Sequence, residues 1–155
     1  MTIKLLEGAV EDLSAYIQAN LDAKITTINA RYADGLTLLP PDKYYDGSIP
    51  LSLPNPVSIV FHGIGWTPTE QRLANVLLLN RVAIVVFVAD NDVERRFKKL
   101  CRYAVCLTEL LQSAKGNLAY VVKLNGAVDL TEPQATGQFL QGIIVPVSLQ
   151  AMETY

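Results

Sequence analysis

The chain reads as an α+β domain: a mostly antiparallel sheet of about four to five strands packed against an N-terminal helix and a long central helix. Three observations carry that expectation. Apolar residues recur at helical spacing in two separate stretches, one ending near residue 30 and one beginning after residue 92. Between and after them stand β-branched apolar runs too short for most helices, VSIVFH (57–62), VAIVVFVA (82–89) and the closing FLQGIIVPVSLQ (139–150). The length, 155 residues, is that of one domain, and no repeat or low-complexity tract divides it, so residues 1–155 are read as a single unit.

The first helix is expected from about residue 4 to residue 30. Leu6, Val10, Leu13, Ile17, Leu21, Ile25 and Ile28 follow one another at spacings of three and four, while Glu7, Glu11, Asp12, Gln18 and Lys24 lie off that stripe. Asp34-Gly35 closes the segment. Residues 36–56 then hold five of the eight prolines, Pro40, Pro41, Pro50, Pro54 and Pro56. Proline fixes φ and removes a donor, so this stretch reads as a long irregular arm rather than a central strand or helix interior. Tyr44 and Tyr45, beside Lys43, make it a candidate contact surface, because tyrosine buries area at low entropic cost.

VSIVFH is the first expected strand, and FHGIGW (61–66) carries the only histidine and the only tryptophan of the chain. The glycines there are expected to end the strand and turn the chain out of the sheet, leaving Trp66 to pack on the core or on a neighbour. Residues 69–80 are open between a short helix and a strand approach. Val82–Ala89 reads as a strand buried on both faces. Asn91 or Asp92 can then cap a helix whose apolar positions Val93, Phe97, Leu100, Ala104, Leu107 and Leu111 repeat 4-3-4-3-4, with Gly116 ending it. In LAYVVKLNGAVDL the Asn125-Gly126 pair signals a hairpin. The last strand places Phe139, Ile143, Val145, Val147 and Leu149 on one face, and Pro146 in it points to an edge position or a bulge.

Composition narrows the function. Half of the residues are hydrophobic and only 18% charged, which is apolar for a soluble monomer and fits either surface buried between subunits or a well-filled α/β core. The longest unbroken apolar run, Val82 to Ala89, falls well short of the roughly 20 residues that span a bilayer. MTIKLLEG reaches Glu7 and Glu11 without the apolar core of a signal peptide, so a cytoplasmic product without a membrane partner is expected. A net charge of −2 exerts no global pull on nucleic acid.

Tests for chemistry come back empty. A serine-hydrolase site needs a nucleophile, a base, an orienting acid and oxyanion donors. Ser14, Ser48, Ser52, Ser58, Ser113 and Ser148 all lie outside any Gly-x-Ser-x-Gly elbow, and one His62 cannot serve both as base and in a His-Gly oxyanion loop. No phosphate loop or dinucleotide fingerprint is present. One histidine and no cysteine pair at ligand spacing exclude a zinc site, and no cofactor is expected. Cys101 and Cys106 stand about 140° apart around a helix and read as two buried free thiols. Asp90 and Asp92 are explained by capping and by acid near the positive end of a helix. What remains is a basic run, Arg95, Arg96, Lys98, Lys99 and Arg102. Arg95, Lys98, Lys99 and Arg102 are expected on one outer face, a solvated surface or an electrostatic contact with DNA phosphates or an acidic neighbouring subunit. Without interleaved aromatics that contact carries no sequence specificity.

The order of these elements resembles the tail-terminator proteins of tailed phages, in particular the Mu-like contractile-tail family. The resemblance runs from the N-terminal helix (LEGAVEDLSAYIQANL) through the proline-rich approach to the first strand (SLPNPVSIVFHG). It continues with an apolar strand ending in an acidic cap (RVAIVVFVADND), the helix VERRFKKLCRYAVCLTELLQ and the closing strand QFLQGIIVPVSLQ. It implies a virion structural protein rather than an enzyme. Such a protein forms a hexameric ring that caps the tail tube, stops its polymerisation and, in contractile tails, anchors the last sheath ring. Its implied partners are copies of itself, the tube protein, the sheath protein and the neck or connector, with DNA passing through the lumen. A head-tail connector ring is the alternative within phage assembly, and a small hydrolase using His62 the alternative outside it. A closed ring needs a heterologous interface, for which Tyr44, Tyr45, Trp66 and Pro146 are the candidate residues.

Overall fold

The computed structural model describes residues 6–72, 75–114, 118, 120–124, 126–136 and 138–154. Among these residues it is an α+β fold with two helices on a mostly antiparallel sheet. Helix α1 (Leu6–Arg31) buries Val10, Leu13, Ile17, Leu21, Ile25 and Ile28, the stripe expected from their spacing. Helix α2 (Val93–Ser113) is capped by Asp92, whose Oδ1 accepts from the Arg95 amide at 2.9 Å. Leu100, Ala104, Leu107 and Leu111 are buried as their spacing requires, but Val93 and Phe97 are 67% and 50% exposed. The core-facing position of that first turn belongs to Arg96 instead. Its Nη1 donates to the Asp90 carbonyl at 2.9 Å and its Nε to Gln141 Oε1 at 3.2 Å, so a buried guanidinium replaces the expected apolar contact. The proposed stop at Gly116 lies outside the described residues; Ala114 forms the C-cap.

Among the described residues seven strands make one sheet: β1 (Lys43–Gly47), β2 (Val57–Arg72), β3 (Asn75–Ala89), β4 (Val121–Leu124), β5 (Asp129–Leu130), β6 (Gln134–Thr136) and β7 (Gln138–Thr154). Five of them form the continuous order β1-β2-β3-β7-β4, with β5 and β6 also pairing β7. Of the described strand pairs, only β1 and β2 run parallel. Three expectations change here. Residues 69–72 and 75–80, open between a short helix and a strand approach, are strand, the far end of a long β2–β3 ladder, from Val57↔Val88 to Arg72↔Asn75. The arm 36–56 contains an edge strand, β1, which falls within residues 42–49, the longest proline-free run of the arm. And Gly126 does not turn a hairpin between β4 and β5, Asn125 itself lying outside the described residues. β4, β5 and β6 pair in succession with Val147–Gln150, Ile143–Ile144 and Gln138–Leu140 of β7, all antiparallel to it, so they are one interrupted edge strand. Gly126, at φ 103°, takes the chain through the interruption.

Pro146 is explained by the same interruption. It sits in an interior strand, opposite Ala83 of β3, and not at an edge. On its other side β4 ends opposite Val147 and β5 begins opposite Ile144. The residue that lacks an N–H therefore falls where that flank has no ladder to lose.

Strand alternation sorts the core into two faces. Ile59, Phe61, Val82, Ile84, Val86, Ile143, Val145, Val147 and Leu149 join α1 and α2 in one large buried cluster. The opposite face carries the smaller cluster Val60, Ala83 and Val85, with Tyr45, Phe87 and Ile144 packed against it. Among the described residues, no helix covers that second face. The proline-rich segment 49–54 lines a groove with Phe87 and Leu140 there, so the return from β1 to β2 passes over its end.

Candidate interaction surfaces

FHGIGW does not end its strand. His62 pairs with Ala83 in mid-ladder, and β2 continues through a register shift between Gly63 and Gly65 that leaves Ile64 as the extra residue of a bulge. The glycines are there for close approach. A Cβ on Gly63 would stand 3.0 Å from Leu6 Cδ2, and one on Gly65 3.1 Å from the Arg81 guanidinium. The bulge turns Ile64 and Trp66 toward solvent, 52% and 51% exposed. His62 is half-buried with its Nδ1 unbonded. Ser58 is four residues away on the same strand, about 13 Å at 3.3 Å per residue, and so out of reach as a partner nucleophile.

Trp66 instead belongs to a notch of about 480 Å³ between the start of α1 and the bulge, lined by Leu6, Val10, Gly63 and Gly47 and by the carboxylates of Glu7, Glu11 and Asp46. The three acids are exposed and make no ion pair among the described residues. Behind the tryptophan, its cross-strand partner Asn80 is fully buried with neither amide atom hydrogen-bonded.

The basic run on α2 is neutralised from within. Arg95 Nε and Lys99 Nζ meet Asp90 Oδ2 at 2.6 and 3.0 Å, and Lys98 meets Glu94 at 2.8 Å. Arg102, expected outside with them, is buried at 8% exposure. It pairs with both oxygens of Asp34, donates to the Leu36 carbonyl at 3.2 Å, and lies 4.9 Å from the Tyr32 ring centre. Hydrogen bonds from Arg102 hold the Asp34 carboxyl at a pKa of about 2, and those from Arg95 hold Asp90 well below the usual carboxylate range. The physical reason is placement: α2 leaves the sheet over the turn that closes α1, and its cations answer the acids gathered at that corner. Four cations that the sequence left open between a solvated face and an electrostatic contact are thus paired within the subunit.

Residues 36–39 are held by side chains in place of a ladder. Asn29 bonds both the amide and carbonyl of Leu38, at 2.8 and 3.0 Å, and Tyr103 donates to the Leu39 carbonyl. Of the two candidate tyrosines, Tyr44 stacks on Phe61 at 6.3 Å on the helix side, and its burial raises its pKa to about 12. Tyr45 packs against Val60 on the other face. Both are half-buried within the subunit. The exposed large apolar side chains of the arm are instead Leu39 before the tyrosines and Ile49 and the fully exposed Leu51 after them. Cys106 is buried and Cys101 half-buried, both free, and burial pushes the Cys106 thiol up to about 12, far from the thiolate a nucleophile needs.

Among the described residues, no His, Cys, Asp and Glu group is placed to hold a metal ion, and no helix is long and apolar enough to cross a membrane. No protein-family model matches this chain, and no curated protein matches it in sequence.

Proposed function

We propose that this protein is a structural ring subunit, the terminator that caps a phage-type tail tube and joins it to the neck. One observation carries the reading beyond the resemblance of element order. The two opposite ends of the sheet each present large apolar side chains to solvent, and the two sets differ. At the β1 end stand Ile64 and Trp66, on the part of β2 that runs beyond its pairing with β1. At the other end stand Leu124 on β4 and Leu130 on β5, 43% and 41% exposed. Their register partners Val147 and Ile143 are buried under the helices, so both lie on the helix-bearing side. Val93 and Phe97 of α2 are exposed as well. Unlike apolar flanks at opposite ends of one subunit are what a heterologous interface requires, and repetition of such an interface gives a closed ring or a filament. In this reading the ring meets the last tube ring on one side and the neck on the other, with the sheath bound outside if the tail contracts and DNA passing through the lumen.

The test is the mass of the protein in solution by analytical ultracentrifugation, followed by negative-stain imaging with purified tail tubes. Rings, free or seated on tube ends, are expected. A protein that stays monomeric and leaves tube ends bare overturns the reading.

A further inference from the structure

Resting on that ring reading, we infer which groups join neighbouring copies: the acidic notch beside Trp66 receives the Lys123-Leu124 corner of strand β4 from the next copy. The notch has an apolar floor, Leu6 and Val10, an indole wall, and three exposed carboxylates, Glu7, Glu11 and Asp46, at its rim. It therefore fits a long aliphatic stem ending in a cation, with an apolar neighbour to cover the tryptophan. A second copy can supply that. Most cations on the helices are already paired: Arg31 with Glu109, Arg95 and Lys99 with Asp90, Lys98 with Glu94, and Arg102 with Asp34.

On the strands, Lys43, Arg81 and Lys123 are exposed and unpaired among the described residues. Lys43 leans over the Tyr45 ring at 5.9 Å, on the same flank as the notch, where a heterologous contact cannot use it. Arg81 lies on the middle strand β3 with its guanidinium against Gly65. Lys123 alone stands on the strand at the opposite end of the sheet order, next to the exposed Leu124. The levels agree too. Lys123 is opposite Ser148, which is opposite Arg81, which is opposite Gly65, so the corner and the bulge share one row of the sheet. Leu124 stands on the helix side with the notch and covers the indole, while Lys123 starts from the other face and its stem passes around the exposed edge of β4 to reach the carboxylates. Rotation about an axis along the strands brings them together without a shift along that axis, the condition for a ring to close.

Charge exchange tests this on the full-length protein. Lys123→Glu and the double variant Glu7→Lys/Glu11→Lys are each expected to weaken self-association by at least about tenfold. All three substitutions in one chain restore the attraction with its sign reversed, so association returns to within about threefold of the unaltered protein. Circular dichroism and melting curves matching the parent show that the folds are intact. Rings that form equally well in all variants overturn this inference while leaving the ring reading standing. A parent protein that never forms rings, free or on tubes, removes both. A Lys4→Glu variant with the effect expected of Lys123→Glu, the latter being silent, would assign the notch to residues near the N-terminus instead. Loss of salt-sensitive duplex binding by Lys123→Glu, with rings unchanged, would assign Lys123 to DNA and also overturn the inference.

Discussion

The two faces of the sheet draw on the same strands, yet they differ in what covers them. On the helix side, β-branched residues of β2, β3 and β7 meet two amphipathic helices, and the buried cluster continues unbroken from Ala9 to Leu149. On the other side Val60, Ala83 and Val85 have only side-chain neighbours and the returning arm, and the buried hydroxyls of Ser58 and Ser148 have no hydrogen-bond partner. Burial scales with what a second layer can cover. The helix side is therefore where the fold gains most of its stability.

Substitutions separate these roles, and the largest loss belongs under the helices. Ile17→Ala removes a fully buried side chain between α1 and the sheet and is expected to lower unfolding stability by about 2–5 kcal/mol in urea melts. Val85→Ala on the second face, at about 0.8 kcal/mol per methylene, is expected to cost only about 1.5 kcal/mol. Equal losses would mean that the two faces are equally consolidated.

A smaller effect tests the corner that joins the helices. Asp34 has its pKa lowered from 3.8 to about 2, first by its hydrogen bonds from Arg102. A depressed carboxylate stabilises the fold above its ordinary pKa, and the contribution is lost as pH falls through the folded value. Melting temperature should therefore drop from about pH 4 toward pH 2, and Asp34→Asn should flatten that part of the profile while lowering the neutral-pH value. A profile unchanged by the substitution would show that the pair does not couple to folding.

The smallest change in stability is expected at Trp66. It is half exposed, so Trp66→Ala should move the unfolding free energy by about 0.5 kcal/mol or less. The same change should cost about 2 kcal/mol or more in ring association, since buried aromatic anchors dominate interfaces. A destabilised monomer with intact association would place Trp66 in the core instead.

The helices were legible because their information is local. The 3.6-residue period of α1 and the Asp92 cap of α2 act over a few residues and survive in the tertiary structure. The closing strand was legible for the same reason: Ile143, Val145, Val147 and Leu149 alternate onto the buried side, the side chain of Phe139 lying outside the described residues. Legibility failed where a residue's role depends on a partner far along the chain. Gly126 carries a hairpin signature, yet β7 offers both flanking segments a longer strand to pair with than they offer each other. Gly63 and Gly65 look like a strand end, yet β3 continues opposite them and holds the chain in the ladder as a bulge. Of the candidate contact residues, Trp66 kept an exposed place, Tyr44, Tyr45 and Pro146 were drawn into the subunit, and Ile64, Leu51 and the acidic notch carried no local signal.

The sequence by itself determined the α+β class, the two helical stripes, the strand cores and the absence of a recognisable catalytic motif, because period, propensity and residue type are properties of neighbours along the chain. The tertiary structure decided which cations remain free. Arg95, Lys98, Lys99 and Arg102 form one charged stretch when read in order, but each is paired within the subunit: Arg95 and Lys99 with Asp90 in the turn that leads into α2, Lys98 with Glu94 on the helix itself, and Arg102 with Asp34 in the turn after α1. It also decided that Glu7, Glu11 and Asp46, up to 39 positions apart, rim a single notch beside Trp66. Coulomb energy depends on distance in space, and only the fold sets that distance.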